Sequence, residues 1–83
     1  MSINVIPIII LMYDREINSS ANALTIDDIM AYVEADLSRS TVATCVDQLI
    51  KGEYVAYSKF KKGKSYAYYL TEKGIELYKQ EIE

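Results

Sequence analysis

The chain contains no histidine and only one cysteine. The first absence removes imidazole as a general base or metal ligand. Together they exclude the Cys-rich and Cys/His sites that hold structural zinc. A single cysteine cannot close an internal disulfide, so the sequence reads as that of a protein kept in a reducing compartment, the cytoplasm. Glycine is also sparse, at three residues, and none forms a phosphate-cradling loop. No motif pairs a nucleophile with a base, and Asp27-Asp28 is better explained as helix capping than as a carboxylate dyad. An enzyme is therefore not expected, nor is any cofactor or metal. The longest apolar run, Val5 to Tyr13, is too short to span a bilayer and runs directly into Asp14, Arg15 and Glu16. It also lacks the basic n-region and small-residue cleavage site of a secretory signal. No membrane partner is expected.

Eighty-three residues, 51% of them hydrophobic, suffice for one domain, 1–83. A domain of this size buries only about 60% of the surface its unfolded chain exposes, so its core is thin and a second subunit would help. The apolar run predicts a buried helix from about Ile6 to Ile17, with Pro7 tolerated in its first turn. Because Ile8 to Met12 leave no polar face, this helix must be covered on more than one side. It is either a central core helix or one completed by a partner subunit.

After the polar loop Asn18 to Asn22, Thr25 is placed to cap a second helix, Thr25 to Val33. Asp28 occupies the capping-box position, and Ile26, Ile29, Met30 and Val33 form the apolar side. Glu34 to Leu37 then lead into a third helix capped by Ser38. In this helix Val42, Cys45, Val46 and Leu49 fall on one face, while Ser40, Thr44, Asp47, Gln48 and Lys51 fall on the other. Two short amphipathic helices joined by four residues form a helix-turn-helix. On this pattern Cys45 is a small buried hydrophobe rather than a redox sensor.

Beyond Gly52 the period shifts from 3.6 toward 2. Val55 to Phe60 and Ser65 to Leu70 alternate around Lys61-Lys62-Gly63-Lys64, which predicts a β-hairpin with a lysine tip. Tyr66, Tyr68 and Tyr57 are expected to pack this sheet against the helices. Thr71 caps a last helix, Glu72 to about Glu81, with a stripe of Ile75, Tyr78 and Ile82; Leu77 lies opposite and has no evident intrachain partner.

Charge is distributed unevenly along this order. The net charge is −3, yet Tyr54 to Leu70 hold four lysines and no acid, and the remaining residues carry five basic and twelve acidic side chains, a balance of −7. One basic feature thus sits on an acidic body, which argues against indiscriminate coating of nucleic acid.

Helix, helix-turn-helix, hairpin and helix in this order resemble the winged helix-turn-helix transcription regulators, particularly those of the MarR and PadR type. The resemblance spans roughly Leu24 to Tyr78. It is carried by L-S-R-S-T-V-x-x-x-V-D-Q-L at Leu37 to Leu49, K-G-E-Y-V at Lys51 to Val55, and Y-x-L-T-E-K-G at Tyr68 to Gly74. It implies an α+β winged-helix fold and double-stranded DNA as the partner. The helix at about 38–51 would enter the major groove, and the wing at 59–65 would lie on the backbone or minor groove.

Carried over by position, Ser38, Arg39, Ser40, Thr41, Thr44 and Gln48 become candidate groove or phosphate contacts, and Lys59, Lys61, Lys62 and Lys64 become wing contacts. Arginine can read guanine in bidentate fashion, hydroxyls can bond base edges or phosphates, and lysines attract phosphate without reading sequence. A single recognition helix reads few base pairs. A homodimer through the first and last helices is therefore expected, with its two recognition helices about 34 Å apart. Two departures from the family pattern stand out: Asp36 where glycine often occupies the turn, and Glu53 where the recognition helix often ends on glycine. With Asp47 they place negative charge near the expected DNA face. The competing expectation is a winged helix that binds another protein instead of DNA, which the acidic balance favours and the lysine wing opposes.

Overall fold

The computed structural model describes residues 1–83. Four α-helices and one antiparallel hairpin follow in the order α1 Val5–Asp14, α2 Ile26–Tyr32, α3 Arg39–Lys51, β1 Val55–Tyr57, β2 Tyr68–Leu70 and α4 Glu72–Glu81, with a single 3-10 turn at Ser20–Asn22. The first helix is shorter than the apolar run predicts. Glu16 turns left-handed at φ 55°, and the end closes with the Glu16 N–H donating to Tyr13 O at 3.1 Å and the Ile17 N–H to Met12 O at 2.8 Å. Ile17 is still buried, but beyond the helix.

α1 is in contact with α2, α3, α4 and β2. Val5, Ile8, Ile9, Leu11 and Met12 are buried, so most of a helix that is apolar all round is covered by its own chain. Ile6 is exposed, at 36%, and Pro7, Ile10 and Tyr13 are half-buried. Around α1 the core gathers Ile29 from α2, Val42, Cys45, Val46 and Leu49 from α3, Val55 from β1 and Leu70 from β2. The four α3 residues are those of its predicted stripe. Burial also raises the Cys45 thiol pKa, which keeps it an unreactive core group.

The caps form as their residue types predict. Thr25 Oγ1 accepts from the Asp28 N–H at 3.0 Å while Asp28 Oδ2 accepts from the Thr25 N–H at 3.0 Å, a reciprocal capping box. Ser38 and Thr71 cap α3 and α4 by accepting from the Thr41 and Gly74 N–H groups. Leu77 departs from expectation: it is half-buried against the core rather than unpartnered.

The hairpin pairs Val55 with Leu70, Ala56 with Tyr69 and Tyr57 with Tyr68. It is shorter than the alternation suggests: the Ser58 N–H still donates across to Ala67 O at 2.8 Å, but from Lys59 on the backbone bonds elsewhere. The Lys59 N–H donates to Ser20 Oγ at 3.0 Å, the Ser58 hydroxyl donates to Ser20 O at 3.1 Å, and the Phe60 N–H donates to Ser58 Oγ. Leu24 adds a one-residue bridge on the far side of Tyr68, with both N–H···O bonds at 2.8 Å. At the other edge α4 begins so close to β1 that a Cβ on Gly74 would lie 2.2 Å from Tyr54 O. Only glycine fits there. A helix-turn-helix seated on a core helix, followed by a projecting hairpin, is the winged-helix architecture, α+β in class.

Candidate nucleic-acid interface

The first turn of α3 and the tip of the hairpin converge on the first turn of α2. Arg39 forms an ion pair with Asp27, and Lys62 Nζ lies 3.2 Å from Asp28 Oδ2. Neighbouring carboxylates on one short helix therefore hold one cation from α3 and one from the hairpin. Between them opens a cleft of about 180 Å³, lined by Thr25, Asp27, Arg39, Lys64, Tyr66 and Tyr68 among others.

The expected contact residues divide into free and engaged groups. Arg39, Ser40 and Thr44 are exposed along α3; of these Thr44 is free, while Arg39 is held by Asp27 and Ser40 Oγ lies 3.2 Å from Ser38 Oγ. Ser38 is exposed but its hydroxyl serves the cap, accepting from the Thr41 N–H and donating to Thr41 Oγ1 at 2.9 Å, which also engages Thr41. Gln48 is half-buried, and its Oε1 accepts from the Ser2 N–H at 3.1 Å, so the segment before α1 ties it down. On the wing, Lys59, Lys61, Lys62 and Lys64 are all exposed. Lys61 Nζ lies 4.4 Å from the centre of the Tyr66 ring, a cation–π contact that lends this lysine a preferred direction. Gly63 turns the tip at φ 63°, and a bridge pairs Lys62 with Ser65 across it.

Two of the three hairpin tyrosines depart from their expected role. Tyr68 is half-buried against the core, whereas Tyr57 is 50% and Tyr66 55% exposed. They pack on each other with ring centres 5.4 Å apart instead of on the helices, because regular pairing ends at Tyr57 and Tyr68. Burial, with Tyr57, Asp47 and Tyr66 nearby, raises the Tyr68 pKa, so its phenol stays neutral at physiological pH. Phe60, 66% exposed among the lysines, completes an aromatic and cationic wing surface.

Asp27 and Asp28 were legible as capping residues only. Their pairing with Arg39 and Lys62 joins residues 12 and 34 apart in sequence, and no local spacing signals it. Ala43 is also exposed on α3, one turn beyond Arg39, where a methyl group can meet a thymine methyl. That signal was present in the helical period. The Asp28 carboxyl is held below its ordinary pKa, first by the Thr25 backbone N–H and also by Lys62. Asp36 keeps an ordinary negative φ, while Glu53 adopts φ 65°, so of the two positions where the family often carries glycine only the second is left-handed.

No protein-family model matches the chain, and no curated protein matches it. Among solved structures, TubR from Bacillus megaterium pBM400 is similar, with a TM-score of 0.79 and 21% identity over 96% of this chain and 84% of that one. The similarity is one of fold.

Proposed function

We propose that the chain, as a single domain over residues 1–83, is a sequence-specific double-stranded DNA-binding protein of MarR- or PadR-like type that acts as a small homodimeric transcriptional regulator in the cytoplasm, without cofactor or catalytic activity. α3 enters the major groove and the wing follows the backbone or minor groove. The observation that carries this reading is the convergence of Arg39 and Lys62 on adjacent carboxylates. It brings the helix that can read bases and the hairpin that can neutralise phosphates to one side of the molecule. Arg39, with Ser40 and Thr44, supplies donors for base edges. Lys59, Lys61, Lys62 and Lys64 supply sequence-independent attraction.

The homodimer is supported by a second surface. Met1 and Ile3 are 65% and 77% exposed, and with Ile6, Leu77 and Ile82 they line an apolar groove between α1 and α4. Contiguous exposed apolar surface on a small protein marks an association site. A second reading, a winged helix that binds protein, draws on the acidic body, with its sequence pI of about 4.9, and on Asp47 exposed on α3 itself.

The deciding experiment is fluorescence anisotropy on a labelled random-sequence duplex pool at about 50 and 200 mM salt, with sequencing of the bound fraction. Salt-dependent binding that enriches an inverted repeat is the expected result. Absence of binding at the lower salt would replace DNA by a protein partner.

A further inference from the structure

Arg39 and Lys62 are the two expected DNA-contacting cations that are already ion-paired. Each partner carboxylate offers its cation the kind of anionic oxygen that a phosphate would offer. The two differ in what else they do. Asp28 is fixed, since the same Oδ2 that meets Lys62 also accepts from the Thr25 N–H. Asp27 has Arg39 as its hydrogen-bond partner and is 71% exposed in its side chain.

We propose that Asp27 and Asp28 are specificity-determining residues: they occupy Arg39 and Lys62 as intramolecular stand-ins for phosphate, so that arbitrary duplex must displace them without a net gain in charge pairing. Phosphate contacts are the sequence-independent part of DNA affinity. A phosphate that takes Lys62 or Arg39 leaves a carboxylate unpaired beside a polyanion, so this part of the affinity is held down. Arg39 aimed at a guanine edge recovers two charge-assisted hydrogen bonds that no misplaced site returns. Exposed ion pairs are weak, so the correct site can displace them. The acids thus lower the background rather than the discriminating contact. The inference rests on the DNA-binding reading above.

The test compares the wild type with Asp27→Asn, Asp28→Asn and Glu76→Gln on a random-sequence 20-base-pair duplex, by anisotropy at about 50 and 200 mM salt. Glu76 is exposed on α4 and controls for net charge alone. Asparagine at 28 keeps an acceptor for the Thr25 N–H, and thermal melts check that each variant is folded. Asp27→Asn should bind random duplex roughly three- to tenfold more tightly, with a salt slope steeper by about one. Asp28→Asn should shift in the same direction, and Glu76→Gln should match the wild type. Equal affinities for Asp27→Asn and wild type, or weaker binding by the variant, would overturn the inference while leaving DNA binding standing. An equal gain in Glu76→Gln would reduce it to an effect of net charge and overturn it too. No binding by any of the four folded proteins would remove the DNA reading, and the inference with it.

Discussion

The α1–α4 side and the α3–wing side of this molecule are both incompletely covered, but they leave different chemistry exposed. Between α1 and α4 lie aliphatic side chains, Met1, Ile3, Ile6, Leu77 and Ile82, around a shallow groove. Between α3 and the wing lie cations held by carboxylates or rings: Arg39 on Asp27, Lys62 on Asp28, Lys61 over Tyr66. Apolar surface gains by being buried permanently, at about 25 cal/mol per Å² removed from water. A charged surface whose pairs are exposed gains little from staying closed and exchanges partners readily. The first face suits a lasting subunit contact and the second a reversible, salt-sensitive one.

The largest test of that contrast is to put charge into the apolar face. Ile3→Asp with Ile6→Asp should convert dimers to monomers, read as a fall in sedimentation coefficient. These two positions are exposed and outside the core, whereas Leu77 packs on it, so Leu77→Asp would confound dissociation with unfolding. A sedimentation coefficient unchanged by the double substitution would remove this groove as the subunit contact. DNA affinity should fall as dimerisation is lost, because each protomer then binds alone.

On the opposite face the effects should separate by residue. Arg39→Ala is expected to lower affinity for an enriched site by about 1 to 3 kcal/mol and to relax preference at one base pair. Lys61→Ala should weaken all duplexes alike and reduce the salt slope by about one. Identical, salt-insensitive losses in both would contradict the division between a base-reading helix and a phosphate-following wing.

The join between these faces, the α2 cap, should show itself in acid. Asp28 has a folded-state pKa below its ordinary value of 3.8, with the Thr25 N–H as the main cause. A carboxylate lowered in this way contributes stability that is fully present above the unfolded value and is lost as pH falls through the folded one. Thermal melts from neutral pH downward should therefore show wild-type stability declining below about pH 4, with a shallower decline in Asp28→Asn. Thr25→Ala, which removes the other half of the box, should cost about 0.5 to 2 kcal/mol at any pH. Parallel pH profiles for wild type and Asp28→Asn would show that the box does not carry this dependence.

Much of the fold was legible because its signals are local. The α3 stripe of Val42, Cys45, Val46 and Leu49, the Thr25, Ser38 and Thr71 caps, and the two β-prone runs each depend on neighbours a few residues away. The misreadings occurred where distant backbone intervened. Tyr57 and Tyr66 alternate correctly for a sheet, but Ser20, from the loop before α2, accepts from the Ser58 hydroxyl and the Lys59 N–H and ties the strand to that loop just where regular pairing stops. Leu77 looked unpartnered on a helical wheel, because a wheel does not show that α1 and the residues before it close over that side. Among the candidate contacts, residue type indicated donors but not whether they were free: Gln48 is bonded by Ser2, and Arg39 by Asp27.

The smallest effect lies at the hinge from α3 to the hairpin, where adjacent residues carry opposite demands. Gly52 must lack a side chain, since a Cβ there would stand 2.6 Å from the Tyr54 ring that packs back over the turn. Glu53 has room but the wrong backbone, at φ 65°. A left-handed conformation costs a residue with a Cβ roughly 1 to 2 kcal/mol, and glycine escapes this at an entropic cost of about 0.5 to 1 kcal/mol. The Glu53 carbonyl that accepts from the Thr71 hydroxyl at 2.7 Å is backbone and survives substitution. Removing an acid from just beyond the C-terminal end of α3 relieves its interaction with the negative end of the helix dipole. Glu53→Gly should thus stabilise the fold by about 0.5 to 1 kcal/mol in chemical denaturation, while Gly52→Ala should destabilise it by displacing Tyr54. If Glu53→Gly instead lowers stability, the left-handed turn is not strained by its side chain.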